Sequence, residues 1–127
     1  MQKLKIFSPV ILRIGLAFVF LWFGTNQLSD VNSWVGYIPT WVTSLSSLSP
    51  ETVVYINGVF EIIFGAALLF GFYTRFTAFF LMLHMIDITF TVGLDSIGIR
   101  DLGLSVAMIV IWLNGSDFFS LDRYMKE

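Results

Sequence analysis

Cysteine is absent from the 127 residues, which excludes disulfides, thiolate metal sites and dithiol redox chemistry together. Charge is nearly as scarce. Charged residues make up 13% of the chain, seven basic and nine acidic, with a net charge of −2 and no basic run or patch on which nucleic acid could be held. There is one histidine, and borderline metals usually gather more nitrogen or sulfur donors than His84 and its neighbouring acids offer, so no metal site is expected. A haem held by His84 alone is disfavoured by the same acidic company. No internal repeat or low-complexity tract is visible. Any electrons this chain handles must be carried by a substrate or a partner.

What is present is hydrocarbon. Hydrophobic residues make up 57% of the chain and the mean hydropathy is +0.83, far too apolar for a soluble domain of this size. A bilayer core about 30 Å thick takes roughly 20 helical residues per crossing. The sequence therefore predicts an all-α fold, a four-helix transmembrane bundle with spans near 8–28, 53–72, 76–95 and 101–116 in a single domain covering 1–127. Lys3 and Lys5 ahead of the run Ile14–Gly24 resemble the start of a signal peptide, but without a small-x-small site the run reads as a retained first span.

Between the first two spans, Trp34, Ile38, Trp41, Leu45 and Leu48 recur at helical steps with Ser33, Thr40, Ser44 and Ser47 between them. This predicts an amphipathic interfacial helix, broken or started by Pro39, acting as a cover over the bundle or as a substrate gate. Lys3, Lys5, Arg75, Arg123 and Lys126 fall on one side of the four-span arrangement and Arg100 alone on the other. Such segregation places both termini and the turn at Tyr73–Arg75 in the cytoplasm of a multi-pass protein of the cell membrane.

Ionisable groups inside the spans are the candidate site. Glu61, His84 and Asp87 fall at one depth near the midplane, where lipid penalises them. Asn57 lies one turn from Glu61 on the same face, with Gly58 and Gly65 allowing close approach of a neighbouring helix. Thr77, His84, Asp87, Thr91 and Asp95 form a second polar stripe, and Asp101, Ser105 and Met108 a third. Arg13, one turn inside the boundary, either snorkels to the surface or pairs with Glu61. Asp101 is a helix cap or a site residue, and Arg100 lines an entrance for an anion or holds Asp95.

The segments Leu12-Arg13-Ile14-Gly15-Leu16, Asn57-Gly58-Val59-Phe60-Glu61, Gly71-Phe72-Tyr73-Thr74-Arg75, Ile99-Arg100-Asp101-Leu102-Gly103-Leu104 and Ser120-Leu121-Asp122-Arg123-Tyr124, in that order, resemble the DoxX family over nearly the whole chain. The resemblance implies a four-helix membrane bundle related to the DoxD-type subunit of thiosulfate:quinone oxidoreductase. In some members it also implies association with thiol-stress and superoxide defence proteins. It carries over Arg13, Glu61, Arg75, Arg100 and Asp101; His84 and Asp87 come from depth and facing alone. Two functions compete. One is a membrane subunit of a quinone-linked redox system, with Glu61, His84 and Asp87 catalytic, Arg13, Asn57, Arg100 and Asp101 binding, no intrinsic cofactor and quinone as the membrane substrate. The other is a non-enzymatic anchor or assembly subunit. Expected partners are the bilayer, a redox protein and further copies of the chain. A proton-coupled transporter has little support without an inverted repeat or a broken helix.

Overall fold

A computed structural model describes residues 2–92 and 96–125, and the side chains of 4–91 and 98–125. The described residues are helical, without strands. Four long helices, α1 (Gln2–Ser29), α3 (Pro50–Phe70), α4 (Thr74–Val92) and α5 (Ser96–Asn114), are joined by the short helix α2 (Thr40–Ser46) and followed by α6 (Leu121–Met125). The expected spans correspond to these helices with shifted ends, and Gly93, Leu94 and Asp95 of the expected third span lie outside the described residues.

Local chemistry sets the boundaries of α3. Ser49 caps its start by accepting from the Thr52 N–H, Pro50 occupies the first turn where its missing N–H is harmless, and Glu51 faces the positive helix end. At the other end Gly71 takes φ +69°, so its N–H reaches Leu68 O at 3.1 Å and the Phe72 N–H reaches Ala67 O at 2.8 Å. This left-handed close leaves two residues to reverse the chain into α4.

Packing is pairwise: α1 lies mainly on α3, and α4 on α5. The first pair is close because of glycine. A Cβ on Gly24 would press within 2.8 Å of Ile62 and 3.0 Å of the Gly58 carbonyl, and one on Gly58 would meet the Gly24 carbonyl at 3.1 Å. Small residues at such a crossing are what brings helices together where lipid removes the hydrophobic drive between them. The shared core is Leu16, Ala17 and Phe20 of α1, Leu68 of α3, Ala78, Leu81 and Met85 of α4, and Met108 and Ile111 of α5.

The outside of the bundle is apolar. Ile11 (70% exposed), Ile63 (60%), Phe90 (84%) and Leu113 (65%), one from each long helix, stand in the open. So continuous a surface marks contact with something other than water. Leu4–Ser29 and Pro50–Phe70 are long and apolar enough to cross a membrane.

The segment between α1 and α3 differs from expectation. In place of one amphipathic helix it has two single 3-10 turns, Val31–Ser33 and Val35–Tyr37, followed by α2. Gly36 and Pro39 explain the interruption, since glycine weakens a helix and proline has no N–H to donate. Trp34 and Ile38 turn partly inward, whereas Leu45 is 80% exposed.

Candidate functional site

Polar side chains gather at two levels of the bundle, about 20 Å apart along α1 at the α-helical rise. The first level is the end that carries the Gly71 turn. Arg13 is 1% exposed there, and its Nε donates to Asp117 Oδ2 at 2.6 Å and Nη2 to Asp117 Oδ1 at 3.2 Å. Its Nη1 donates to the carbonyls of Leu68 (2.9 Å) and Leu69, which the end of α3 leaves without helical partners. The Arg13–Glu61 pair considered from the sequence is thus replaced by Arg13–Asp117. Arg13 faces back toward the helix ends, and Asp117, just past α5, offers two oxygens in the fork geometry a guanidinium prefers.

The same end is laced by the tail. Asp122 accepts from the N–H groups of Tyr73 and Thr74 and so caps α4, while its own N–H donates to Gly71 O at 3.0 Å. Ser120 donates to Asp117 O at 2.9 Å. Arg75 donates to Leu113 O at 3.3 Å and packs on Gly115, whose φ of +76° keeps that spot free of a side chain. Arg13, Gly71, Arg75 and Asp122 therefore form one structural knot.

The second level is beneath the α2 segment. Glu61, 4% exposed, projects from α3 and is held by two amides: Gln27 Nε2 donates to Oε2 at 3.0 Å, and Asn57 Nδ2 to Oε1 at 3.3 Å. Asn57 also donates to Gln27 Oε1, which fixes both amide orientations. From α4, His84 Nε2 comes within 3.5 Å of Glu61 Oε1 without hydrogen-bond alignment, and this buried nitrogen has no hydrogen-bond partner among the described residues. Phe60 lies against the imidazole, ring centroids 4.5 Å apart. An orphaned nitrogen beside a carboxylate is the arrangement of a pair waiting for a third group.

The third wall comes from α5. Asp101 is 1% exposed and lies in the second turn of α5, so the helix-cap reading of this residue is overturned: α5 begins at Ser96, five residues earlier than the acid. Its carboxylate accepts from Arg100 Nη2 at 2.8 Å and Nε at 3.0 Å, and the guanidinium lies 4.3 Å over the Phe23 ring. Ser105 and Met108, one and two turns on, are buried as expected of the third stripe.

Several of these groups line a cavity of about 300 Å³, while His84 lies beside Glu61 and off the lining. Gln27, Asn57, Glu61, Arg100 and Asp101 form its polar end, and Trp34, Tyr37, Ile38, Trp41 and Val42 roof it. Asp87 lines the cavity but is exposed, and no hydrogen bond links it to His84. The expected second stripe divides for a geometric reason: the buried face of α4 runs through Thr77, Leu81, Met85 and Thr89, and Asp87 is turned away from it. Thr77 belongs to the turn end, where it donates to Phe72 O, and Asp95 lies outside the described residues. The structure thus brings together Asn57, Glu61, His84, Arg100 and Asp101, leaves Asp87 at the rim and assigns Arg13 elsewhere. Gln27 was not anticipated, although an amide inside an apolar span is itself a depth signal.

Comparison with known proteins adds one finding. The DoxX family model matches residues 8–94, more than half of the chain. No curated protein and no solved structure matches it.

Proposed function

The chain belongs to the DoxX family, and from that premise we propose that it is a four-span protein of the cytoplasmic membrane serving as the membrane subunit of a quinone-linked redox system. Family and apolar helices together point to a membrane protein. The four-span arrangement is supported by the lengths of α4 and α5, each 19 residues or about 28 Å, and by the apolar outer face of every long helix. Cytoplasmic termini are supported by the clustering of Arg13, Arg75 and Arg123 at the turn end, with Arg100 at the other.

The observation that carries the reading is the Gln27–Asn57–Glu61 cluster at the polar end of an aromatic-roofed cavity, with His84 beside Glu61 and its Nε2 without a hydrogen bond among the described residues. The cavity is at the small end of the range of about 300–1,000 Å³ common for ligand pockets. A quinone becomes a quinol by taking up two electrons and two protons. Glu61 and His84 supply hydrogen bonds to its carbonyl oxygens and pass protons to them, Gln27 and Asn57 hold the carboxylate in place, and Phe60 fixes the imidazole plane. The electrons come from a sulfur reductant of the thiosulfate or thiol class, oxidised to the S–S-linked product, directly or through a partner protein, because no cysteine exists here to relay them.

The test is ligand-dependent melting in detergent, together with extraction to see whether a quinone accompanies the purified protein. A short-tailed benzoquinone should raise the melting temperature of the wild type with concentration, and Glu61→Gln or His84→Ala should abolish that rise while the bundle stays folded. If no quinone tested stabilises the wild type, the remaining reading is the membrane anchor or assembly subunit, which the absence of any thiol favours.

A further inference from the structure

The way into the cavity is written in the contacts between helices. Although α3 and α4 are neighbours across a three-residue turn, they touch far less than either touches its main partner. Near the turn their seam is filled with rings: Phe64 and Phe80 have centroids 6.2 Å apart, and Phe60 lies on His84 at 4.5 Å. Beyond His84 the filling stops. Val53 and Asn57 form one wall and Asp87, Ile88 and Thr91 the other, with the cavity between them.

Asp87 stands at that opening in an unusual position. It is exposed on the same stripe of α4 as Leu83 (44% exposed) and Phe90 (84%), one turn to either side. An acid on an apolar stripe is costly against bare lipid. The cost falls where the stripe borders a polar cavity, because the carboxylate can turn inward to a ligand or to water travelling with it. The roof, by contrast, is Trp34, Tyr37, Ile38, Trp41 and Val42, an apolar cover toward the aqueous side.

Resting on the reading of this cavity as a ligand site, we infer that its ligand is admitted sideways from the lipid, between α3 and α4 on the lid side of His84, with Asp87 as the lip of the portal. The corollary concerns charge. Among the described residues the lining carries the carboxylates of Glu61, Asp87 and Asp101 against the single guanidinium of Arg100, which already binds Asp101. The site therefore takes neutral, membrane-partitioned molecules with polar head atoms and turns away small anions. Thiosulfate itself does not sit beside the quinone here; its electrons arrive through a partner protein, or a neutral thiol replaces it.

The natural absence of cysteine gives a clean test. Val53→Cys and Thr91→Cys, each carrying a nitroxide in a lipid bilayer, report collisions with oxygen, which partitions into lipid, and with a water-soluble nickel chelate. Phe18→Cys supplies the lipid reference and Ser44→Cys the aqueous one. Both cavity labels should follow the lipid reference. Stronger relaxation by nickel than by oxygen, or by neither reagent, overturns the portal. Independently, Thr91→Trp should slow association of a short-tailed benzoquinone about tenfold while changing its equilibrium affinity much less; an unchanged association rate in a folded variant counts against the portal. Thiosulfate in the aqueous phase should not displace the benzoquinone, and displacement would overturn the exclusion of anions. If the wild type binds no benzoquinone, the quinone reading fails, while the collision measurements still decide whether the cavity opens to lipid.

Discussion

The two polar levels are built from similar residues and differ in how their charged groups are partnered, although the buried Thr74 Oγ1 at the turn end has no hydrogen bond among the described residues. At the turn end, Arg13 has four acceptor contacts, Asp117 takes hydrogen bonds on both oxygens, and Asp122 receives two N–H groups. Beneath the lid, Glu61 is held by amides, His84 Nε2 has no hydrogen bond among the described residues, and a cavity separates the helices. Buried charge with every partner present specifies a structure. Buried polarity that stops short, next to space, is prepared for something else. The contrast therefore ties fold to one level and, under the proposed function, ligand binding to the other.

The hardest way to break this contrast is at Arg13. Arg13→Leu leaves the buried Asp117 carboxylate without its counter-ion and the Leu69 carbonyl without its donor, and should cost about 3–5 kcal/mol in unfolding measurements; adding Asp117→Leu should recover part of that loss. Next is Gly71→Ala, whose Cβ would strike Ser120 at a backbone angle reserved for glycine, with a loss of about 2 kcal/mol by thermal unfolding. Asp122→Ala removes the cap of α4 and should cost about 1 kcal/mol. The smallest stability change, below about 1 kcal/mol, is expected for Glu61→Gln, which keeps its shape and an acceptor for Gln27. This last variant should nevertheless lose the benzoquinone-dependent rise in melting temperature. An equal stability loss at Glu61 and Arg13, with no ligand effect at either, would erase the distinction between the levels.

Much of the cavity was legible because depth is a one-dimensional quantity that residue counting recovers. Glu61, His84 and Asn57 were placed together that way, and Gly58 was expected at a close helix contact, as found. Rotation about the helix axis is harder, since a few degrees per residue accumulate along a span. Asp87 was assigned inward and stands at the rim. The cap alternative for Asp101 rests on a span starting at 101, five residues after the observed α5 start at Ser96. The sequence offers Arg13 only the surface or Glu61, because Asp117 lies 104 residues away in a segment without periodicity, where spacing carries no distance information. The broken interfacial segment shows the same limit: Trp34, Ile38 and Trp41 share the cavity face, but Gly36 and Pro39 break the single helix that their spacing predicts.

The distance in sequence between Arg13 and Asp117 also orders events during synthesis. Arg13 enters the membrane with the first helix, and its counter-ion is made 104 residues later. At about 5–20 residues per second that interval is on the order of 5–20 s, during which the guanidinium can remain solvated only by reaching to the headgroups. Synthesis of Asp117 is thus the earliest moment at which Arg13 can meet its counter-ion. A truncation before Asp117 leaves α1 able to pack on α3 through Gly24 and Gly58 but leaves Arg13 without its carboxylate partner.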